Sequence, residues 1–233
     1  MKTIMIIPAY NEEESISKTV STLKKIAPEV DYIVINDGST DNTMKICQKE
    51  GINVVDLPNN LGIGGAVQTG YKYAALHDYD IAIQYDGDGQ HDPKYIALLI
   101  QEIENGANMA IGSRYIGNES TFKSTFMRRL GKNILSSLIH ITTGTKIYDP
   151  TSGYRAANRQ IIDIFKDKYP IDYPEPDTIV AILKKGYKVK EIPVSMNERQ
   201  GGKSSISPIK SAYYMIKVSL SILLTAINTK KER

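Results

Sequence analysis

The segment Ile81-Ala82-Ile83-Gln84-Tyr85-Asp86-Gly87-Asp88-Gly89-Gln90-His91 runs from an apolar stretch of strand length straight into an acidic turn broken by glycine. Asp92-Pro93 then opens a helix, with Asp as cap and Pro at the first helical position, and the pattern continues to Gly106. The same unit of strand, polar turn and helix recurs on both sides. Thr3–Pro8, Tyr32–Asn36, Ile52–Leu57 and Asn108–Gly112 read as further strands. Asn11 is placed to cap a helix with Glu14 completing a capping-box-like pair, and Ile16, Val20, Leu23 and Ala27 mark its buried stripe. A second helix runs to about Glu50, where Gly51 stops it, and Gly64–Leu76 makes a third. Strands alternating with helices predict an α/β fold with one open, mostly parallel sheet covered on both faces.

The second half is less regular. It offers a helical segment around Thr125–Ile141, a turn-rich stretch at Tyr148–Tyr154, a helix over Asp177–Lys185 ending at Gly186, and a strand-like Tyr187–Val194. Ser207 to Asn228 reads as a long helix. The chain of 233 residues suits one domain, and 41% hydrophobic with 24% charged residues excludes a disordered polymer. A formal charge of +3 is too small to argue for a nucleic-acid partner. A single cysteine, Cys47, permits no internal disulfide and suits a reducing compartment, where it reads as a small buried apolar residue. Met1-Lys2-Thr3-Ile4 passes directly into a strand, and no apolar run reaches the ~20 residues a membrane span requires. The expectation is a cytoplasmic protein able to touch a membrane at its inner face.

Ligands of open parallel sheets bind beyond the carboxyl ends of the strands. Three polar clusters are expected there: Pro8–Glu12, Asn36–Asp41 and Asp86–Gln90. Two carboxylates one residue apart on a glycine-interrupted turn suit a hard cation such as Mg²⁺ or Mn²⁺, which takes oxygen ligands and shares them with substrate phosphates. Gln90 can add a carbonyl oxygen. The bland alternative is an acidic turn that caps the next helix. An EF-hand is excluded because the twelfth position from Asp86 is Ala97. The glycines at Gly62-Ile63-Gly64-Gly65 do not make a dinucleotide fingerprint, since Val67 occupies the third glycine position; a tight loop with close helix packing fits them better.

The chain resembles the family 2 glycosyltransferases of GT-A fold, in the branch of dolichyl-phosphate mannose synthase and bacterial polyprenyl-phosphate sugar synthases. The resemblance rests on Ile7-Pro8-Ala9-Tyr10-Asn11-Glu12, Asp37-Gly38-Ser39-Thr40-Asp41, Asn60-Leu61-Gly62, Asp86-Gly87-Asp88-Gly89-Gln90-His91 and Gly112-Ser113-Arg114-Tyr115. It continues in Asp149-Pro150-Thr151-Ser152-Gly153-Tyr154-Arg155, Glu191-Ile192-Pro193-Val194 and Arg199-Gln200-Gly201-Gly202-Lys203-Ser204-Ser205. Each motif alone is common; their shared order along nearly the whole chain carries the likeness.

What the resemblance implies is a metal-dependent, inverting transfer from a nucleotide sugar to a polyprenyl phosphate. Pro8, Tyr10, Glu12 and Asp37 would hold the nucleoside, Asp37 at the base edge, with Gly62 a further donor contact. Asp86, Asp88 and Gln90 would hold the cation against the donor diphosphate. Arg199 and Lys203 would lie over that diphosphate, so that Asp86, Asp88, Arg199 and Lys203 carry catalysis. Arg114 and Ser152, with Arg128 or Arg129, would meet the acceptor phosphate. Asn36 departs from relatives that carry a second aspartate there. Pro174-Glu175-Pro176-Asp177 departs from the paired Glu-Asp that many relatives use as a base. A lipid phosphate is already ionised and needs no base, which suits that departure. The bacterial branch points to UDP-glucose or UDP-N-acetylglucosamine as donor.

Residues 1–205 are expected to form the GT-A domain and residues 206–233 an amphipathic tail. Lys123, Arg128, Arg129 and Lys132 make a basic stretch. Ile209, Tyr213, Ile216, Leu220, Leu223, Leu224 and Ile227 fall at helical spacing, which suits a helix lying in a membrane interface, against an ordinary packing helix or homo-oligomer contact. A small membrane protein is a further expected partner. Transfer to a sugar hydroxyl, which would require Glu175 or Asp177 as base, and a non-catalytic nucleotide-sugar-binding protein are the alternatives. Of the histidines, His77 and His140 read as surface or structural residues, while His91 adjoins the acidic turn.

Overall fold

Thr-Ile-Met-Ile-Ile-Pro-Ala is buried along its whole length, as a strand covered on both faces must be, and forms β1 (Thr3–Ala9). The computed structural model describes residues 1–117, 126–172, 174–196 and 208–229. Lys123, Arg199, Lys203 and Lys230-Lys231 lie outside them, as does the side chain of Arg128.

β1 joins β2 (Asp31–Asn36), β3 (Val54–Asp56), β4 (Ile81–Gln84), β5 (Met109–Ser113), β6 (Arg155–Asn158) and β7 (Val189–Pro193) in one sheet of order β3-β2-β1-β4-β6-β5-β7. The expected mostly parallel sheet is present: β1 pairs in parallel with β2 and β4, β2 with β3, and β5 with β7. The exception is β6, which runs antiparallel to both β4 and β5. Arg-Ala-Ala-Asn holds no β-branched or aromatic residue, so nothing in its composition signals a strand. Sheet pairing on both sides overrides that poor propensity.

The helices are α1 (Ile16–Ile26), α2 (Thr43–Lys49), α3 (Gly62–Leu76), α4 (Ile96–Glu104), α5 (Phe126–Thr143), α6 (Arg159–Phe165), α7 (Pro174–Lys184) and α8 (Pro208–Asn228). The sequence reading lacks α6, although Asn158 caps it by accepting from the Ile161 N–H at 3.1 Å. One reading is corrected. Asn11 does not cap α1, which starts at Ile16; its backbone is left-handed (φ 56°) and its Oδ1 accepts from the Thr40 N–H at 2.8 Å. The side chain serves the neighbouring turn because the chain reverses before the helix starts. Asp92 does act as a cap, with its side chain accepting from the Lys94 N–H, but the first turn over Pro93–Tyr95 is a 3-10 turn.

Alternation along the strands divides the core in two. Ile4, Ile6, Ile33 and Ile35 face α3, α6 and α7, together with Leu135 and Ile139 of α5 and Val218 and Ile222 of α8. Met5, Ile7 and Val34 face the other way, against Ile16, Val20 and Leu23 of α1, the buried Cys47, and Ile96, Leu99 and Ile103 of α4. The early glycines of α3 serve close packing, as their spacing suggests. A Cβ on Gly64 would stand 2.1 Å from the Pro170 carbonyl oxygen.

Candidate active site

The three polar clusters sit at the carboxyl ends of β1, β2 and β4, side by side because those strands are neighbours. Asp37 is buried, and its Oδ1 accepts from the Leu61 N–H at 2.7 Å, tying the turn after β2 to the start of α3. Gly38 has φ 65°, and a Cβ there would stand 2.8 Å from the Asn60 nitrogen, so glycine lets the two loops close on each other. Pro8 is buried in β1 and Tyr10 is exposed at its end, while Glu12 accepts from the Ser15 hydroxyl at 2.6 Å. Asn36, the departure from the family pattern, donates through Nδ2 to Asp56 at 2.6 Å, and its Oδ1 has no hydrogen-bond partner among the described residues.

The Asp86–Gln90 turn is held at both ends. Thr19 of α1 donates to the Gly87 carbonyl at 3.0 Å, and the Tyr85 hydroxyl donates to the His91 carbonyl at 2.6 Å. Asp88 accepts from the Gln90 N–H at 3.0 Å. The Asp86 side chain is 37% exposed, and its Oδ2 lies 3.0 Å from His91 Nε2. Burial works to raise the Asp86 pKa, but the charge and hydrogen bond of His91, with help from Gln84 and Arg114, hold it below the usual aspartate value. Asp86 is therefore a carboxylate, as a cation ligand must be. Among the described residues no three His, Cys, Asp or Glu side chains gather as a metal cluster. The donor set is two carboxylates and an amide oxygen, all hard, which fits a cation that takes its remaining ligands from phosphate and water.

Antiparallel β6 brings the second half of the site here. Arg155 pairs with Gln84, so the loop before Arg155 arrives at the carboxyl end of β4. A Cβ on Gly153 would stand 3.1 Å from Asp86 Oδ2 and 3.1 Å from Gln84 Nε2, tight enough that those groups would have to give way. Arg114 grips the buried Asp149 through Nε and Nη2, both at 2.7 Å, and reaches Thr151 Oγ1 at 3.0 Å. Its backbone N–H also donates to Asp149. Ser152 donates to the Gly112 carbonyl at 2.6 Å, so in this state its hydroxyl proton staples the loop to β5. The ring of Tyr115 receives Arg114 at 5.7 Å and Lys132 of α5 at 4.7 Å. Arg129 is exposed on the first turns of α5.

Three residues that the sequence reading holds within its motifs, without a settled role, support the site. Arg155, fully buried, donates to the Ser152 and Glu175 carbonyls and to Thr178 Oγ1. Glu191 accepts from the Tyr148 and Asp149 N–H groups, each at 2.8 Å, while burial raises its pKa against those bonds. His91, 1% exposed, stacks on Tyr154 with ring centroids 4.6 Å apart. The two acids of α7 separate. Burial raises Glu175, opposed by Arg155, and Asp86 and Gln84 act on it across the site. Asp177 instead accepts from Ser221 of α8 and belongs to the seam between α7 and α8.

Comparison with known proteins agrees with this geometry. Residues 4–165 match the family described as Glycosyl transferase family 2. The polyprenol monophosphomannose synthase of Mycolicibacterium smegmatis is 27% identical over 94% of this chain and 86% of its own. The UDP-N-acetylglucosamine–dolichyl-phosphate N-acetylglucosaminyltransferase of Methanococcus voltae is 32% identical over 82% of this chain and 83% of its own. Glucosyl-3-phosphoglycerate synthase from Mycobacterium tuberculosis, solved with Mn²⁺, UDP and phosphoglyceric acid, superposes with a TM-score of 0.69 at 20% identity, covering 99% of this chain and 80% of that one. That likeness establishes the GT-A fold. With the family match spanning well over half its length, this chain belongs to glycosyl transferase family 2.

Proposed function

We propose that the protein moves a sugar from a nucleotide sugar to a polyprenyl phosphate with inversion, UDP-glucose or UDP-N-acetylglucosamine being the preferred donor class. The observation that carries this reading is the meeting of the Asp86 turn with the Arg114–Asp149–Tyr115–Lys132 set, where Lys132 belongs to α5. Exposed apolar side chains line both helices of the packed α5–α8 pair: Met127, Leu130, Ile134 and Ile141 of α5, and Tyr213, Ile216, Leu220 and Leu224 of α8. No described helix is long and apolar enough to cross a membrane. An apolar face edged by cations suits a helix pair lying on a membrane surface, where a lipid phosphate would be presented.

Asp86, Asp88 and Gln90 would hold Mg²⁺ or Mn²⁺. When bound, the cation neutralises charge on the donor diphosphate as it leaves. The nucleoside end falls to Pro8, Tyr10, Glu12, Asp37 and Gly62. Arg114, Ser152 and Arg129, with Lys132 beside the Tyr115 ring, would orient the acceptor phosphate, and Arg128 is proposed for it from the sequence alone. Arg199 and Lys203, also from the sequence alone, would lie over the donor diphosphate. Arg114 acts within a neutral pair with Asp149, so it serves orientation more than raw charge. A phosphate oxygen attacks without losing a proton, and no base is needed. The location is the inner face of the cell membrane, either alone or with a small membrane-protein partner.

A donor panel with undecaprenyl phosphate, read by product mass, tests the reading. One sugar-phospholipid product, lost in Asp88→Ala or with excess chelator, is expected. Full activity of Asp88→Ala would sink the metal role. A second reading has its own observation: Glu175 is a raised carboxyl near Asp86, as a base for a hydroxyl acceptor would be. Transfer to a free sugar hydroxyl, lost in Glu175→Gln, would favour it.

A further inference from the structure

His91 directly follows the acidic turn, and its contacts are more specific than a core histidine requires. It is 1% exposed, and each part of it meets a different piece of the site. Nε2 lies 3.0 Å from Asp86 Oδ2. The ring stacks on Tyr154 at 4.6 Å and 25°, and stands 5.6 Å from Tyr85 at 60°. The carbonyl accepts from the Tyr85 hydroxyl at 2.6 Å, and the backbone bridges to Met196, beyond β7.

The hydrogen-bonding inventory places a hydrogen on Nε2. Asp86 is a carboxylate and can only accept, so Nε2 carries the hydrogen that joins them. Nδ1 is buried without a hydrogen-bond partner among the described residues. The ring thus donates in one direction, to Asp86, with its plane set by Tyr154.

Tyr154 ties that plane to the other half of the site. Its hydroxyl donates to the Asp92 carbonyl at 3.2 Å, and its N–H donates to Ser152 Oγ at 3.3 Å. The loop that carries Ser152 and Gly153 is thus linked through Tyr154 and His91 to the Asp86 side chain.

Resting on the reading of Asp86 as a cation ligand, we infer that His91 is a positioning residue: its Nε2–H fixes one oxygen of Asp86 so that the other is presented to the divalent cation. Carboxylate ligands are held by such outer hydrogen bonds, and losing one costs about 10- to 100-fold in metal affinity.

Two substitutions divide the contacts. His91→Phe keeps a ring to stack on Tyr154 but removes the N–H. His91→Gln removes the ring but keeps an amide N–H of similar reach. Mn²⁺ binding is measured by the loss of the free-ion electron paramagnetic resonance signal in the presence of UDP, and UDP binding without metal is measured by calorimetry. His91→Phe is expected to weaken Mn²⁺ about 10- to 100-fold while metal-free UDP binding is unchanged. His91→Gln is expected to keep the parent affinity. Parent Mn²⁺ affinity in folded His91→Phe would overturn the inference. Should that chain not fold, a tenfold loss in His91→Gln overturns it, and retained affinity supports it. Asp88→Ala runs beside them: if it binds Mn²⁺ as the parent does, the metal reading fails first, and the two failures stay distinct.

Discussion

Breaking the pair between Arg114 and Asp149 is the sharpest available perturbation. Asp149 is fully buried and the Arg114 side chain is 16% exposed, so neither charge has enough water to replace the other. The carboxylate also accepts from the Arg114 N–H and from Thr151 Oγ1, which it meets at 3.3 Å. Burial disfavours the Arg114 cation, but Asp149 more than compensates and raises its pKa. Removing one member leaves the other buried without its countercharge, a loss of about 3–5 kcal/mol. In a chain of this length that is about 6–20 °C of Tm. Asp149→Leu and Arg114→Met should each show this loss in thermal unfolding. The double variant should recover much of it, because a packed apolar pair replaces an ion pair at little net cost. High salt should not reduce the loss, since buried charges are little screened. Single variants each costing under about 1 kcal/mol would refute the reasoning, because that is the worth of a solvated surface pair.

Three further outcomes follow from the same contacts. Gly153→Ala should cost about 1–3 kcal/mol of stability through overpacking and reduce turnover, because its Cβ would press on Asp86 and Gln84; parent turnover would show that the loop has room to give. Tyr71→Phe should raise Tm by a few degrees, since its buried hydroxyl has no partner among the described residues and its removal relieves about 1–3 kcal/mol of desolvation; a fall in Tm would show a partner at work. Asp177 is raised by burial, with the Ser221 bond opposing. The folded chain therefore holds that proton more tightly than the unfolded chain does. Stability from this group is present below the usual aspartate pKa and is lost as pH rises through the folded value. Denaturant unfolding against pH should show the parent losing stability relative to Asp177→Asn over that interval; a constant difference would refute the shift.

How much of this could be read in advance depends on where each contact's partner lies along the chain. The sheet up to β5 follows from local pattern: Ile4–Ala9 and Ile81–Ile83 are continuous apolar runs, and each leads into a polar turn. The Asp86–Gln90 turn carries little weight by composition alone, since acidic turns are common; its place after the fourth strand and the ordered motifs around it make it legible. The Arg114–Asp149 pair spans 35 residues, and the Glu191 clamp on Tyr148 and Asp149 spans 43 and 42. No periodicity reports such separations. The motifs that hold Arg114, Asp149 and Glu191 were visible, but as isolated strings whose mutual bonds require the sheet order.

The missing fact was the direction of one four-residue strand. Had β6 run parallel to β4, the loop before Arg155 would lie at the amino end of β4, far from Asp86. Because β6 is antiparallel, Arg155 starts beside Gln84, and Gly153 rests on the Asp86 carboxylate. That reversal places Tyr154 under His91 and lets buried Arg155 bind the carbonyls of Ser152 and Glu175 at once. A strand of low intrinsic propensity is fixed by its two neighbours and by that arginine, since unfolding it would leave a buried cation with its partners gone. The Asp86–Gln90 turn and the Asp149–Arg155 motif, proposed for the donor and acceptor sides, thus share one wall. Arg155→Met should accordingly weaken both halves together, lowering Mn²⁺–UDP affinity and raising the acceptor KM in the same variant. Loss of one with the other intact would mean that the two sides are supported separately.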